Sequence, residues 1–180
     1  MPCWVRPIWH RLALAKSLNN IGLLYFNSGV SLDSSVIYFQ KSLKIGQELN
    51  NNNLYFHLYT NLARVFIKKE QYENAKLYIK KAFLIIKNIE RPVKRAWFYN
   101  TVAELYSKQS KIDSSIYFAS KAFRISDSNF PFSLQNLKSV ELLYNSYRLN
   151  KEFEKATNFF EIYNEISDSL NIEEKKLNVE

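Results

Sequence analysis

Two stretches decide the fold: LDSSVIYFQKSLKI at residues 32–45 and IDSSIYFASKAFRI at 112–125. Between them lies YENAKLYIKKAFLI (72–85), and after them FEKATNFFEIYNEI (153–166). Their first residues, Leu32, Tyr72, Ile112 and Phe153, fall at steps of 40, 40 and 41. A second series runs ahead of the first at Tyr25, Phe66, Tyr106 and Tyr147, with steps of 41, 40 and 41. Two locked series at one period describe a two-helix unit repeated along the chain, which is a solenoid. A solenoid offers a surface rather than a reaction, so the expectation is binding.

Each unit reads as helix A, turn, helix B. In the second unit, Leu58, Leu62, Val65 and Phe66 recur at helical spacing, KKEQYENA forms a polar turn, and Ala75, Ile79 and Ala82 form a second stripe. The third unit repeats this with Val102, Ala103 and Tyr106, then Ser115, Ala119 and Ala122. Asp33 and Asp113 precede Ser-Ser pairs, where an acidic or hydroxyl group can accept from orphan amides and suits the positive helix end. Pro92 and Pro131 sit between units, where a missing N–H costs least. The linkers 49–56, 87–94 and 126–133 are long and polar, which predicts extended helices or inter-unit loops. The run Asn50–Asn53 reads as a solvated loop. WVRPIWHR (4–11) matches no repeat and reads as a cap on the first unit or a spurious start.

Composition agrees. Of 180 residues, 47% are hydrophobic and 16% aromatic, enough for an ordinary core, while 3 Gly and 4 Pro leave little for hairpin-rich structure. The formal charge of +8 favours an acidic partner such as nucleic acid, anionic lipid or acidic peptide, or else a solvated basic face. The cations are spread through every unit, with Lys41, Lys44, Lys80, Lys81, Lys121 and Arg124 on second helices. Cys3 is the sole cysteine, so the chain forms no internal disulfide. No apolar run approaches the ~18 residues of a membrane span, and the N-terminus does not read as a signal peptide. The expected location is cytoplasmic, or periplasmic if the chain belongs to a membrane-anchored sensor.

These residues resemble the tetratricopeptide repeat. Its pattern of large residues at positions 4, 7 and 11, a small one at 8, and small-large-small at 20, 24 and 27 is met by Tyr59, Leu62, Ala63, Phe66, Ala75, Ile79 and Ala82. The third unit follows with Tyr99, Val102, Ala103, Tyr106, Ser115, Ala119 and Ala122. The first has Leu18, Ile21, Gly22, Tyr25, Ser35, Phe39 and Ser42, with one extra turn residue. The fourth keeps Val140, Leu143, Tyr147, Ala156 and Phe160, but places Tyr144 and Tyr163 at small positions and reads as an end repeat. The resemblance implies an all-α, right-handed α-solenoid in one domain. It comprises about four units (12–50, 53–90, 93–128, 132–168) and a C-terminal helical tail at 169–180. A period near 40, against the usual 34, is similar to the long-repeat regions of bacterial signalling regulators. EIYNEISDSLNIEEKKLNVE (161–180) resembles the segment that follows the last repeat in such proteins. This implies a sensor region, or a fragment, that is missing a kinase or DNA-binding output domain of the same chain.

The resemblance also implies a groove lined by helix A. It assigns Lys16, Asn19, Asn20, Leu23 and Asn27 in the first unit and His57, Asn61, Arg64 and Lys68 in the second. In the third and fourth it assigns Trp97, Asn100, Glu104, Lys108, Lys138, Glu141, Asn145 and Arg148. There the Asn amides would meet a peptide backbone, Arg64, Lys68 and Lys108 would hold carboxylates, and Trp97 would anchor an apolar side chain. The same residue types also occur on any solvated helix face, and Trp97 equally suits an inter-unit core. The family's chaperone-tail clamp, Lys then Asn at positions 5 and 9, is not met by Asn19 and Leu23.

No catalytic constellation is read. His10 and His57 have no partner at metal-ligand spacing, Gly22, Gly29 and Gly46 make no phosphate loop, and Glu173 and Glu174 read as solvated. No metal, no cofactor and no enzyme activity are expected. The partner expected is a protein or peptide segment. Nucleic acid is the alternative for a basic solenoid, although few aromatics remain to stack on bases, and structural self-association is a third reading.

Overall fold

The computed structural model describes residues 5–177, with side-chain surroundings for 8–171. Among the described residues there are eight α-helices, one 3-10 turn and no strand. They are α1 (Val5–Ser28), α2 (Leu32–Glu48), α3 (Asn52–Lys68), α4 (Tyr72–Phe83), the 3-10 turn Ile86–Asn88, α5 (Pro92–Lys108), α6 (Ile112–Asn129), α7 (Leu134–Leu149) and α8 (Phe153–Leu177). This is the all-α helical-repeat fold of the α-solenoid class. The chain divides between Ile89 and Glu90 into two compact units, each holding two helix pairs.

Starts and stops follow local chemistry. Ser31, Asn51 and Ser133 cap α2, α3 and α7, accepting from the amides of Ser34, Leu54 and Asn136 at 3.1, 3.0 and 3.2 Å. Pro92 opens α5 at a position needing no amide donor. Asp33 and Asp113 are not caps. Each lies in the first turn of its helix, where its charge meets the positive helix end. The A–B turns share one backbone device. Gly29, Glu70, Ser110 and Lys151 all have left-handed φ, at 69°, 58°, 57° and 62°. In three of these turns the next amide, of Gln71, Lys111 or Glu152, donates back to the carbonyl of Phe66, Tyr106 or Tyr147 at 2.9–3.0 Å. The aromatic of the second sequence series therefore also closes the turn.

In the first unit α1 packs on α2, α2 on α3 and α3 on α4. Gly22 lets Phe39, fully buried, lie against the α1 backbone; a Cβ there would sit 2.7 Å from two ring carbons. The small residues of α2 also act as polar rivets. Ser35 Oγ donates to the Gly22 carbonyl at 2.8 Å, and Ser42 Oγ to the Ala15 carbonyl at 2.7 Å. Ala75 and Ala82 are fully buried, as the small positions of the pattern require. The residues of WVRPIWHR from Val5 onward form the first turns of α1, and Arg11 there pairs with Glu48 at the end of α2. After α4 the linker folds as the 3-10 turn, burying Ile86 and Ile89.

In the second unit α5 packs on α6 and α7, α6 on α7, and α7 on α8. Ala103, Ala119, Leu142 and Leu143 form a buried cluster, with Phe118, Phe123, Tyr147 and Phe159 against it. Ser115 and Ser146 join their hydroxyls across α6 and α7 at 3.0 Å. α8 passes residue 168 without a break, so the tail expected at 169–180 is its continuation as far as Leu177. Tyr144 is accommodated because its ring lies against Phe160, 5.4 Å between centroids. Cys3 lies outside the described residues, as do the side chains of Glu173 and Glu174.

Candidate functional site

The A helices present their polar faces, and burial sorts the expected groove residues into two classes. Asn19, Asn61 and Asn100 are only 6%, 1% and 3% exposed. They are not surface groups. Asn61 Nδ2 donates to Asn19 Oδ1 at 2.9 Å, joining α3 to α1. Asn100 Nδ2 donates to the Gln135 carbonyl at 2.9 Å, and Ser139 Oγ donates to Asn100 Oδ1 at 2.9 Å, joining α5 to α7. A buried amide must find partners, and here the partners are neighbouring A helices. Residue type alone, Asn on a polar stripe, does not distinguish this from a groove.

The expected groove residues that remain accessible in the first unit are polar or cationic. Asn20 and Lys68 are exposed, while Arg64 and His57 are half-buried. Arg64 and Lys68, one turn apart on α3, both lie over the ring of Phe26 on α1, with the guanidinium carbon 4.6 Å and Nζ 5.1 Å from its centroid. Lys68 Nζ also donates to the Phe26 carbonyl at 3.2 Å. Phe26 thus collects two positive charges at one ring, an arrangement stabilised by the ring quadrupole. In the second unit Trp97, Glu104 and Asn145 are half-buried, and Lys108 and Arg148 exposed. Arg148 lies over Tyr144 at 5.5 Å, and Lys138 pairs with Glu141 at 3.0 Å. The structure brings Arg64 and Lys68 together with Phe26, a residue the sequence pattern does not single out.

The B helices carry a second feature missed in the sequence. Each helix pair holds one near-parallel ring stack at 5.6 Å: Tyr25–Tyr38, Phe66–Tyr78, Tyr106–Phe118 and Tyr147–Phe159. Their B-helix members step by 40, 40 and 41, the signal that could have revealed them. Lys41, Lys81 and Lys121 lie over the B-helix ring of the first three stacks, at 5.3, 5.3 and 5.9 Å. In the fourth, Lys155 takes the role over Tyr147 at 5.2 Å. Part of the chain's positive charge is therefore spent on its own rings.

The titrating groups follow from their surroundings. Burial raises the Tyr59 phenol, beside Tyr55 and Tyr78. Burial, then the charge of Arg91, lowers Lys94. The Lys155 ammonium and the Asn150 amide hold the Glu152 carboxyl low, and Glu152 in turn raises Lys155. Among the described residues no group of three or more His, Cys, Asp or Glu is placed to hold a metal ion. Nor is any helix among them long and apolar enough to cross a membrane.

Comparison with known proteins agrees with the geometry. The tetratricopeptide repeat family matches residues 56–88. The matched residues include Tyr59, Leu62, Ala63, Phe66, Ala75, Ile79 and Ala82. No curated protein matches the sequence. Among solved structures, the crystal structure of BtubC (BKLC) from P. vanneervenii is similar, with a TM-score of 0.74 at 20% identity, over 88% of this chain. The chain spans 65% of that structure's length, and at this identity the likeness concerns the fold. Tetratricopeptide-type folds are typically non-catalytic, and such repeats generally bind proteins or peptides. The chain is a helical-repeat protein that carries a tetratricopeptide repeat at residues 56–88.

Proposed function

We propose that this chain is a protein-interaction module that binds a peptide or protein segment along its A-helix faces. The observation that carries this reading is the pair Arg64 and Lys68 gathered over Phe26, a cationic and aromatic surface spanning two A helices. A segment with an acidic side chain beside an apolar one fits it, because charge and ring face are offered together. Asn20, Trp97, Glu104, Lys108, Asn145 and Arg148 are the remaining accessible candidates, each within its own unit. Asn19 and Asn61 tie the two A helices of this surface together through their own hydrogen bond. The role within a cell that follows the resemblance of 161–180 is the sensory or scaffolding part of a bacterial regulator. Nucleic acid fits less well, because Lys41, Lys81 and Lys121 lie over rings of the fold itself.

The test is a peptide array read by fluorescence polarisation, with acidic-apolar, neutral and basic sets. Acidic-apolar peptides should bind, and Arg64→Ala with Lys68→Ala should weaken them at least about tenfold. Lys80→Ala with Lys81→Ala on α4 should leave binding unchanged. Equal losses from both pairs would replace the A-helix reading with one of diffuse positive charge.

A further inference from the structure

We propose that a cavity in the second unit, between the α5–α6 turn and the α7–α8 turn, receives the ammonium group of a lysine side chain from a partner protein. The cavity has a volume of about 370 Å³ and is lined by Ser110, Lys111, Ile112, Asp113, Ser114 and Asn150. Its meaning comes from the repeat. In the first unit the same joint is built from Asp33, the second residue of α2, and Lys69, which follows α3; these two form an ion pair. Asp113 is the second residue of α6, and Asn150 follows α7. Asp33 and Asp113 lie 80 residues apart, Lys69 and Asn150 81 apart, two repeat periods in each case. The backbone fixes this register independently, since the residues after Lys69 and Asn150, Glu70 and Lys151, are both left-handed.

The second unit thus keeps the carboxylate and lacks the cation. Asn150 is neutral, and its Nδ2 donates to Glu152 Oε1 at 2.6 Å. Lys111, the cation in the cavity lining, does not stand at the position of Lys69 and has its Nζ over the Tyr106 ring, 6.0 Å from the centroid. Among the described residues Asp113 forms no ion pair. The opening is walled by hydroxyl and amide oxygens on Ser110, Ser114 and Asn150 that can accept from the three protons of an ammonium. Ile112 offers apolar surface to a methylene stem. A metal ion is a poorer fit, because a single carboxylate is too few hard ligands. The first unit supplies its own occupant, and that occupant is a lysine.

This site lies at the turn edge, apart from the A-helix surface, and is tested separately. Nα-acetyl-lysine methylamide is titrated into the full chain while the backbone amide signals of Asp113, Ser114 and Asn150 are followed by NMR. Nα-acetyl-norleucine methylamide, the uncharged counterpart, is the control. The lysine probe should give saturable shifts at those three amides, with an affinity of roughly millimolar order, which needs the ion pair together with charge-assisted hydrogen bonds to the Ser and Asn oxygens and cover for the methylene stem. The norleucine probe should give none. Asp113→Asn should abolish the shifts, and Asn150→Lys, which restores the cation of the first unit, should weaken them at least about tenfold. Thermal melting of both variants establishes that they fold. The proposal is overturned if folded Asn150→Lys binds as the natural chain does, if norleucine shifts the same amides, or if the lysine probe gives no saturable shift.

Discussion

Gly22→Ala is the sharpest probe of how α1 meets α2. Glycine inside a helix is disfavoured by about 1 kcal/mol relative to alanine, so at an open site the change would stabilise. Here the new methyl would sit 2.7 Å from Cδ1 and Cε1 of Phe39, against an optimum of about 3.5–4.0 Å. Phe39 is fully buried, so its ring cannot swing aside without disturbing the helices around it. Overpacking of this kind costs typically about 1–3 kcal/mol. A 2.7 Å approach to a fully buried ring falls in the upper part of that range, about 2–3 kcal/mol, so net of the helix gain Gly22→Ala should destabilise by about 1–2 kcal/mol. For a chain of this size that lowers Tm by roughly 2–8 °C. Gly46→Ala is the matched control. Its methyl would meet Leu54 Cδ2 at 3.2 Å, the flexible end of a side chain, so the helix gain and the squeeze should nearly cancel. Urea unfolding of both variants, and of Gly22→Ala combined with Phe39→Leu, isolates the ring contact. The smaller side chain should return most of the loss. If Gly22→Ala is as stable as the natural chain, the packing of α2 on α1 described above is wrong.

Ala75→Leu should cost roughly 1–3 kcal/mol in the same assay, because Ala75 is fully buried where α4 meets α3; a neutral result would shift the register. Glu70→Gly should stabilise by up to about 1 kcal/mol, since Glu70 is left-handed with φ 58°, and a loss would mean the glutamate side chain has a role in the turn. Asn61→Leu should cost about 1–3 kcal/mol by leaving the buried Asn19 Oδ1 without its donor, while Asn19→Leu with Asn61→Leu together should recover much of that in thermal melts. Glu152 has a folded pKa held low by Lys155 and Asn150. Its contribution to stability is present above the ordinary carboxylate value and fades as pH falls through the lowered one. A carboxyl-carbon NMR titration should show its midpoint move up in Lys155→Met.

The fold was legible because its signals are redundant. Small residues such as Ala75 and Ala82 and the aromatic at Phe66 each report one register, and steric demand leaves them few substitutes. The site was less legible. Asn61 and Arg64 lie one turn apart on one helix, yet one is buried against α1 and the other reaches Phe26. Side-chain length and the crossing of neighbouring helices decide that, and neither is written in periodicity. The cavity beside Asp113 was hidden for another reason. Asp33 and Asp113 look alike in sequence, and their difference depends on residues 36 and 37 positions further on, Lys69 and Asn150, where a change of charge carries no helical signal.

The four ring stacks give the molecule a built-in gauge of its own integrity. Of the four, Tyr25–Tyr38 is the pair of two tyrosines, held within 10° of parallel at 5.6 Å. Their share of the near-ultraviolet circular dichroism, read as the difference between the natural chain and Tyr38→Phe, is lost when the first helix pair separates. The other stacks each contain a phenylalanine, whose slowed ring flips would mark their own pairs in NMR. Melting of such an array can therefore be followed one helix pair at a time, without a label.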